Sequence, residues 1–238
     1  MIIKTIFSPN CSEKTRKNKE IKFIILHYTG MQSGIVSLKR LLNSKYKVSC
    51  HYLINRKGSV IKLVNENRVA WHAGKSRWKN YRNLNKNSIG IELVNKGHNF
   101  GYQKFTILQI KNLIKLCIRL KKKYNIKTCN ILGHSDIAPL RKKDPGELFP
   151  WDKMSKKGLA LRLQKTPIYT SKIDRKRSRK FFFRNLYKIG YRYFNKEKFS
   201  KTDKLIIKSF QRRFRQKKVN GKIDLECLKI SSNLAKNK

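Results

Sequence analysis

Short apolar, β-branched runs recur along the chain and predict strands. They lie at Ile21–Leu26, Cys50–Asn55, Ser59–Val64, Ser88–Val94 and Thr128–Gly133. The second and third runs form a β-hairpin, because Gly58 supplies a turn residue between them. The first and last runs end directly at a histidine, His27 and His134.

Apolar residues at helical spacing separate these strands. Ser33 precedes one such stretch around Leu38, and Thr106 with Gln109 forms a capping box before a longer amphipathic stretch that runs to about Tyr124. Because strands and helices interleave along the chain, we predict an α/β fold.

The pattern changes after the last predicted strand. Prolines and a glycine interrupt both periods over residues 138–151 and predict an ordered loop or connector. Three further helical patterns follow between residues 182 and 235. The predicted organisation is an α/β domain at 1–164, a basic linker at 165–180 and a small three-helix domain at 181–238.

Composition adds a strong positive charge to this picture. The chain has 238 residues, with 59 Lys or Arg against 13 Asp or Glu and a net charge of +46. Since 39% of the residues are apolar and 11% aromatic, the chain has enough material for a core and is not a charge-driven disordered protein. The charge favours a polyanionic partner, either nucleic acid or an acidic cell-wall polymer, without choosing between them.

Cysteines and apolar runs exclude other classes. The 5 cysteines are odd in number and form no CxxC pair, which argues against a disulfide scaffold and a thiolate zinc site. No apolar run approaches the roughly 20 residues of a transmembrane helix, and no signal peptide is visible. Nothing in the sequence specifies an oligomeric state.

Two histidines and one carboxylate are candidates for chemistry. His27 and His134 end predicted strands, where α/β sheets place ligand sites, and Asp144 follows ten residues after His134. Two imidazoles and a carboxylate fit a catalytic zinc ion with an open fourth position. The alternative is that the histidines are hydrogen-bonded at strand ends and Asp144 caps a turn.

Five segments, which lie in one order along residues 20–160, carry a family resemblance: FIILHYTG, SCHYLINRKGSVIKLV, AWHAGKSRW, NKNSIGIELVN and LGHSDIAPLRKKDPGELFPW. They resemble the zinc-dependent N-acetylmuramoyl-L-alanine amidase family, type 2, and the HYTG and FPW forms are more similar to its AmiD-like branch than to its AmpD branch. The resemblance implies a mixed central β-sheet flanked by helices. It also implies peptidoglycan or a muropeptide as substrate, cut between the lactyl group of N-acetylmuramic acid and L-alanine.

The resemblance also implies roles for individual residues. It implies one Zn²⁺ per chain held by His27, His134 and Asp144, with catalytic roles for Glu92 and Lys142. Zinc would lower the pKa of a bound water, Glu92 would serve as base and proton shuttle, and Lys142 would stabilise the developing oxyanion. A glutamate in an apolar strand is costly without a role, although a paired structural Glu92 is the alternative.

Neighbouring residues receive further expectations. We expect His51 to be a core histidine or a hydrogen-bonding partner of the metal ligands rather than a ligand itself, and Trp71, His72 and Asn87 to line the substrate groove. Without the resemblance, Trp71 would be read as core. His98 is expected to be a solvated loop residue.

The tail resembles a peptidoglycan-binding domain 1-type module through FFFRNLYKIGYRY and IIKSFQRRFRQKKVNGKID. A basic helical cap on the amidase core is one alternative. Nucleic-acid binding is another alternative, supported by the basic residues clustered near Phe210 and Phe214. It is the less favoured, because these two Phe residues are expected to face the helical core. The whole chain has a further rival interpretation, a non-catalytic peptidoglycan-recognition module. A wall-binding tail favours the cell envelope, whereas the lack of a visible signal peptide leaves the cytoplasm open.

Overall fold

The computed structural model describes residues 2–163 and 175–236. The strands are β1 Ile3–Thr5, β2 Cys11–Thr15, β3 Phe23–Tyr28, β4 Tyr52–Ile54, β5 Val60–Lys62, β6 Arg68–Ala70, β7 Arg77–Trp78, β8 Tyr81–Arg82, β9 Ser88–Leu93 and β10 Ile131–Gly133. The α-helices are α1 Gly34–Leu42, α2 Ile107–Lys123, α3 His134–Ile137, α4 Trp151–Lys156, α5 Arg175–Ile189, α6 Asp203–Phe214 and α7 Leu225–Lys236. Short 3₁₀ turns lie at Asn18–Glu20, Ser44–Tyr46, Leu84–Asn87 and Thr128–Asn130.

Six strands form one mixed sheet in the order β1-β5-β4-β9-β3-β10. The predicted hairpin is the antiparallel pair β4–β5, and the other neighbours in this sheet run parallel. The strands β2 and β6 form a separate two-stranded sheet, as do β7 and β8. The α/β prediction and the implied mixed sheet are therefore confirmed.

The two predicted helices in the first part of the chain are present with their caps. Ser33 accepts a hydrogen bond from the Val36 N–H at the start of α1. The Thr106 and Gln109 side chains each bond to the other's backbone N–H at the start of α2, which is the predicted capping box. The apolar face of α2 packs on the sheet in the same cluster as Ile24 and Leu26 of β3.

The opposite face of β3 is covered by the tail. Phe23 and Ile25 point away from α2 because side chains alternate along a strand, and they lie in one buried cluster with Phe182, Leu186 and Phe210 of α5 and α6. The three predicted tail helices are therefore present and share a core with the sheet. This packing is what the helical-cap alternative expected.

The linker predicted at residues 165–180 can be compared with the structure only in part. Residues 165–174 lie outside the described residues, and residues 175–180 belong to α5. Within the described ranges, no helix is both long and apolar enough to cross a membrane.

Candidate metal centre and active site

The parallel strands bring three of the predicted site residues to one edge of the sheet. His27 of β3 lies in register with Glu92 of β9. On the other side of β3, Gly133 of β10 pairs with Leu26, so that His134 follows at the same edge. This is the carboxyl edge, where open α/β sheets bind ligands.

The donor atoms of His27, His134 and Asp144 form a triangle. His27 Nδ1 lies 3.0 Å from His134 Nδ1 and 3.0 Å from Asp144 Oδ2, and His134 Nδ1 lies 3.0 Å from Asp144 Oδ2. All three residues are buried, and among the described residues they form the group whose spacing suits a metal ion. The loop 138–151 brings Asp144 to this position.

The protonation states of this group suit a cation. Burial, with a contribution from the His134 ring, lowers the pKa of His27 to about 4, so the imidazole is neutral at pH 7. Burial alone would raise the pKa of Asp144, but the neighbouring His134 and His27 rings outweigh it and hold this pKa well below its usual range. The centre therefore offers an uncharged imidazole and an ionised carboxylate, as metal binding requires.

This donor set fits zinc. Zinc takes imidazole nitrogen and carboxylate oxygen at about 2.0–2.2 Å in tetrahedral geometry, which separates neighbouring donors by about 3.3 Å. The observed 3.0 Å separations are close to that value. Three protein donors leave one coordination position for water or substrate, as in catalytic zinc sites.

Further hydrogen bonds orient both histidines. His27 Nε2 lies 3.0 Å from His72 Nδ1, and His72 Nε2 lies 3.2 Å from Ser88 Oγ. His134 Nε2 lies 3.1 Å from the Ala73 carbonyl oxygen. If each Nε2 carries the hydrogen in these bonds, each ligand presents the Nδ1 lone pair to the centre.

Glu92 is a partly buried carboxylate beside this centre. Its Oε2 is among the buried side-chain atoms without a hydrogen-bond partner in the described part of the chain. Burial and the negative charge of Asp144 raise the pKa of Glu92 to about 8, although Lys142 opposes the rise. A strongly shifted, unpartnered carboxyl in a cleft is typical of a functional group.

The cleft at the centre has a volume of about 540 Å³. His72, Glu92 and Lys142 lie in its wall together with two of the three metal-ligand candidates. Other cationic residues line it as well: Arg40, Arg141 and Lys143. The positive lining favours a substrate that carries carboxylates.

The structure brings the other predicted residues to different places. His72 lies in the cleft wall and bonds to His27. His51 lies one layer deeper, where its Nδ1 accepts the Gly90 N–H at 3.0 Å and its Nε2 lies 3.0 Å from Arg16 Nη2. Of the two positions expected for His51, the structure shows the buried core position, and the hydrogen bond to His27 is made by His72.

Neither Trp71 nor Asn87 is among the described residues that line the cleft. Asn87 lies at the amino end of β9, opposite to Glu92, and its Nδ2 donates to the Glu20 carbonyl oxygen at 3.1 Å. Trp71 is partly buried, and its backbone N–H donates to Ser49 Oγ at 2.9 Å. The substrate-binding roles expected of these two residues have no support in this geometry.

Two groups of residues near the site carried no recognised signal in the sequence. Arg141 donates from Nη2 to the Ala73 and Lys75 carbonyl oxygens and lies 3.3 Å from His134 Nε2. His98, expected to be a solvated loop residue, lies 2.8 Å from Tyr28 Oη and 3.1 Å from Glu147.

Comparison with known proteins identifies the family of this chain. Residues 17–147, more than half of the chain, match the family described as N-acetylmuramoyl-L-alanine amidase (Amidase_2). The chain therefore belongs to this family of hydrolases.

Individual relatives extend the similarity beyond the family region. N-acetylmuramoyl-L-alanine amidase AmiD of Escherichia coli is 33% identical over 241 aligned residues, which cover 90% of this chain and 82% of the relative. The 1,6-anhydro-N-acetylmuramyl-L-alanine amidase AmpD of Haemophilus influenzae is 43% identical over 108 residues, which cover 45% of this chain and 56% of the relative.

Solved structures show the same fold. The complex of AmiD from E. coli with anhydro-N-acetylmuramic acid-L-Ala-D-γ-Glu-L-Lys has a TM-score of 0.80 at 30% identity and covers 95% of this chain and 92% of that one. AmpDh3 of Pseudomonas aeruginosa in complex with anhydromuramic pentapeptide has a TM-score of 0.76 at 28% identity, with 98% of each chain covered. Because both matches extend over the tail, the tail is part of the shared architecture.

Proposed function

We propose that this amidase uses one zinc ion per chain to hydrolyse the amide between the lactyl group of N-acetylmuramic acid and L-alanine. The observation that supports this most directly is the triangle of His27, His134 and Asp144 donors beside the unpartnered Glu92 carboxylate. The substrate is peptidoglycan or a muropeptide, by analogy with the ligands of the AmiD and AmpDh3 complexes.

The residues of this chain divide the chemistry among them. His27, His134 and Asp144 would hold the ion, which when bound makes water acidic enough to attack at neutral pH. Glu92 Oε2 has no competing partner among the described residues, so it is available to take a proton from the attacking water and return it to the leaving nitrogen of L-alanine. Lys142 places a cation in the cleft where the carbonyl oxygen becomes negative.

The rival interpretation as a recognition module has less support. A module that only binds peptidoglycan needs neither a complete donor triangle nor a carboxylate beside it with a raised pKa, and this chain has both.

Mass spectrometry of muropeptides incubated with the protein and zinc tests the proposal. We expect release of the free stem peptide beginning at L-alanine, loss of this activity with a chelator, and its return with added zinc. His134→Ala should lose stoichiometric zinc, whereas His98→Ala, a matched change outside the triangle, should keep it. A His134→Ala protein with one zinc and full turnover would contradict the ligand assignment.

For the tail we propose binding to cell-wall peptidoglycan. The tail carries a cleft of about 790 Å³ in which the exposed ring of Phe199 lies near Asp203. Asp203 Oδ1 is buried without a hydrogen-bond partner among the described atoms, which leaves an acceptor for a sugar hydroxyl or amide.

Because the tail shares a core with the sheet, this proposal is best tested with substitutions in the full chain. We expect Phe199→Ala to reduce co-sedimentation with purified sacculi several-fold and to leave hydrolysis of a soluble muropeptide unchanged. Phe181→Ala serves as a control, since Phe181 is also an exposed tail aromatic and lies outside this cleft. Binding of duplex DNA with a steep salt dependence, together with unchanged sedimentation, would favour the nucleic-acid alternative.

A further inference from the structure

The turn that presents His134 is closed by a buried carboxylate. Asp136 lies two residues after His134 on the short helix α3 and is 1% exposed. Its Oδ2 accepts the backbone N–H of Gly133 at 2.8 Å, which fixes the junction between β10 and α3. The same segment also contacts the second metal-ligand candidate Asp144, since the Ser135 N–H donates to the Asp144 carbonyl oxygen at 2.8 Å.

Tail residues supply the remaining partners of this carboxylate. Arg213 of α6 pairs through Nη1 with Asp136 Oδ2 and donates from Nη2 to the Ile131 carbonyl oxygen at 2.9 Å. Tyr191, which follows α5, donates its hydroxyl to Asp136 Oδ1 at 2.6 Å. Asp136 thus accepts from its own turn and from two tail residues that lie far away in the sequence.

A second tail contact reaches the middle of the turn. Ser209 Oγ, one helical turn before Arg213 on α6, donates to the Ser135 carbonyl oxygen at 2.7 Å. The guanidinium of Arg213 also lies 4.3 Å from the centre of the Trp151 ring, which restricts its position. Residues of the tail therefore form hydrogen bonds with Ile131 of β10 and with Ser135 and Asp136 of α3.

We propose that Arg213 and Tyr191 are positioning residues for the metal centre, acting through Asp136 on His134 and, by way of Ser135, on Asp144. The inference depends on the proposed zinc site. The physical reason is that the hydrogen bonds at Gly133 and Ser135 hold the backbone on both sides of His134. If this backbone rotated, the Nδ1 atom of His134 would move relative to the donor atoms of His27 and Asp144. Loss of an outer-layer partner that orients a metal ligand typically weakens metal affinity by about 10- to 100-fold.

Full-length variants test this proposal with readouts other than activity. The zinc dissociation constant is measured by competition with a chromogenic chelator, and the Co²⁺-loaded protein gives a visible absorption spectrum that reports donor geometry. We expect Arg213→Met to weaken zinc binding by about tenfold or more and to change the Co²⁺ spectrum. Arg213→Lys should bind zinc more tightly than Arg213→Met but less tightly than the parent. The lysine ammonium can pair with Asp136, but it cannot also donate to the Ile131 carbonyl oxygen as the guanidinium does.

Arg215→Met is the matched control. Arg215 lies two residues away, is also buried, and pairs with Asp224 inside the tail. It should lower thermal stability without changing the zinc dissociation constant or the Co²⁺ spectrum. If Arg213→Met matches this control in all three measurements, Arg213 only stabilises the fold and the proposal is overturned.

Tyr191→Phe keeps the test decisive if Arg213→Met does not fold. It removes one hydroxyl from the buried contact and should weaken zinc binding several-fold. If the parent protein binds one zinc and Tyr191→Phe leaves both the zinc affinity and the Co²⁺ spectrum unchanged, the positioning proposal is overturned while the metal site stands. A parent protein that binds no zinc would instead refute the proposed metal site, and with it this inference.

Discussion

Replacement of Glu92 by glutamine should change the stability of the metal-free protein in a pH-dependent way. The carboxyl of Glu92 has a pKa raised to about 8 from 4.5, so the folded state keeps its proton at pH values where the unfolded chain has lost it. The contribution of this group to stability is therefore full below about pH 4.5 and is lost as the pH rises through about 8. Glutamine has nearly the same size and carries no charge, so it avoids that loss.

The size of the effect follows from the shift. A pKa moved from 4.5 to about 8 corresponds to roughly 4–5 kcal/mol at 1.36 kcal/mol for each tenfold change in the proton equilibrium. Because the side chain lines an open cleft and is only partly buried, solvent screens part of this, and we expect about 2–3 kcal/mol. The metal-free glutamine variant should gain this much over the parent at pH 9 and little at pH 4.5.

Urea unfolding of the chelator-treated proteins at pH 4.5, 7 and 9, followed by circular dichroism, measures the difference. We expect the midpoints of parent and Glu92→Gln to diverge steadily as the pH rises. Superimposable curves at pH 9 would show that the folded protein does not penalise the Glu92 charge, and the interpretation of Glu92 as a partly buried carboxylate with a raised pKa would be refuted.

Four further outcomes are expected. With zinc bound, Glu92→Gln should lower turnover by about 10²-fold or more, because the base is lost, while the zinc content stays near one per chain. Lys142→Ala should have a similar effect through lost stabilisation of the oxyanion. Turnover at the parental rate in either variant would contradict the role of that residue. Removal of zinc should lower the melting temperature of the parent but leave that of His134→Ala unchanged, as scanning calorimetry can show. Truncation after residue 163 should yield insoluble protein, because Phe23 and Ile25 would lose their cover; a soluble fragment that binds zinc would show that the tail is dispensable. Gly190→Ala should lower stability by about 1–3 kcal/mol in urea titrations, since a Cβ there would lie 2.5 Å from Trp78 Cε2.

The central strands of the fold were predictable because burial on both faces gives them continuous apolar runs. β3 and β9 are almost entirely buried; the predicted run Ser88–Val94 exceeds β9 by one residue, whereas β3 begins and ends two residues later than the predicted run Ile21–Leu26 and so includes His27. β2 and β8 were not predicted, since they are short and largely exposed and carry polar residues such as Ser12 and Arg82. The packing of the tail helices on the sheet could not be predicted from the sequence either, because an apolar helix face does not indicate which surface it covers.

The site was predictable where residue type and chain position decide the chemistry. His27 and His134 stood at the ends of predicted strands, Asp144 followed His134 closely, and the family resemblance added Glu92. The hydrogen-bonding layer around them depends instead on pairing between distant segments. Asn85, for example, was not singled out, yet its Oδ1 accepts the N–H groups of both His72 and Ala73.

The alternation of side chains along β3 has a consequence for how this protein can change. Phe23 and Ile25, which contact the tail, and His27, which belongs to the proposed metal centre, occupy every second position of one strand. An insertion or deletion of one residue between them would turn either the tail contact or the imidazole to the side occupied by α2. A change in the length of this strand by one residue would therefore place the side chains that anchor the tail and the imidazole of His27 on opposite faces of the sheet.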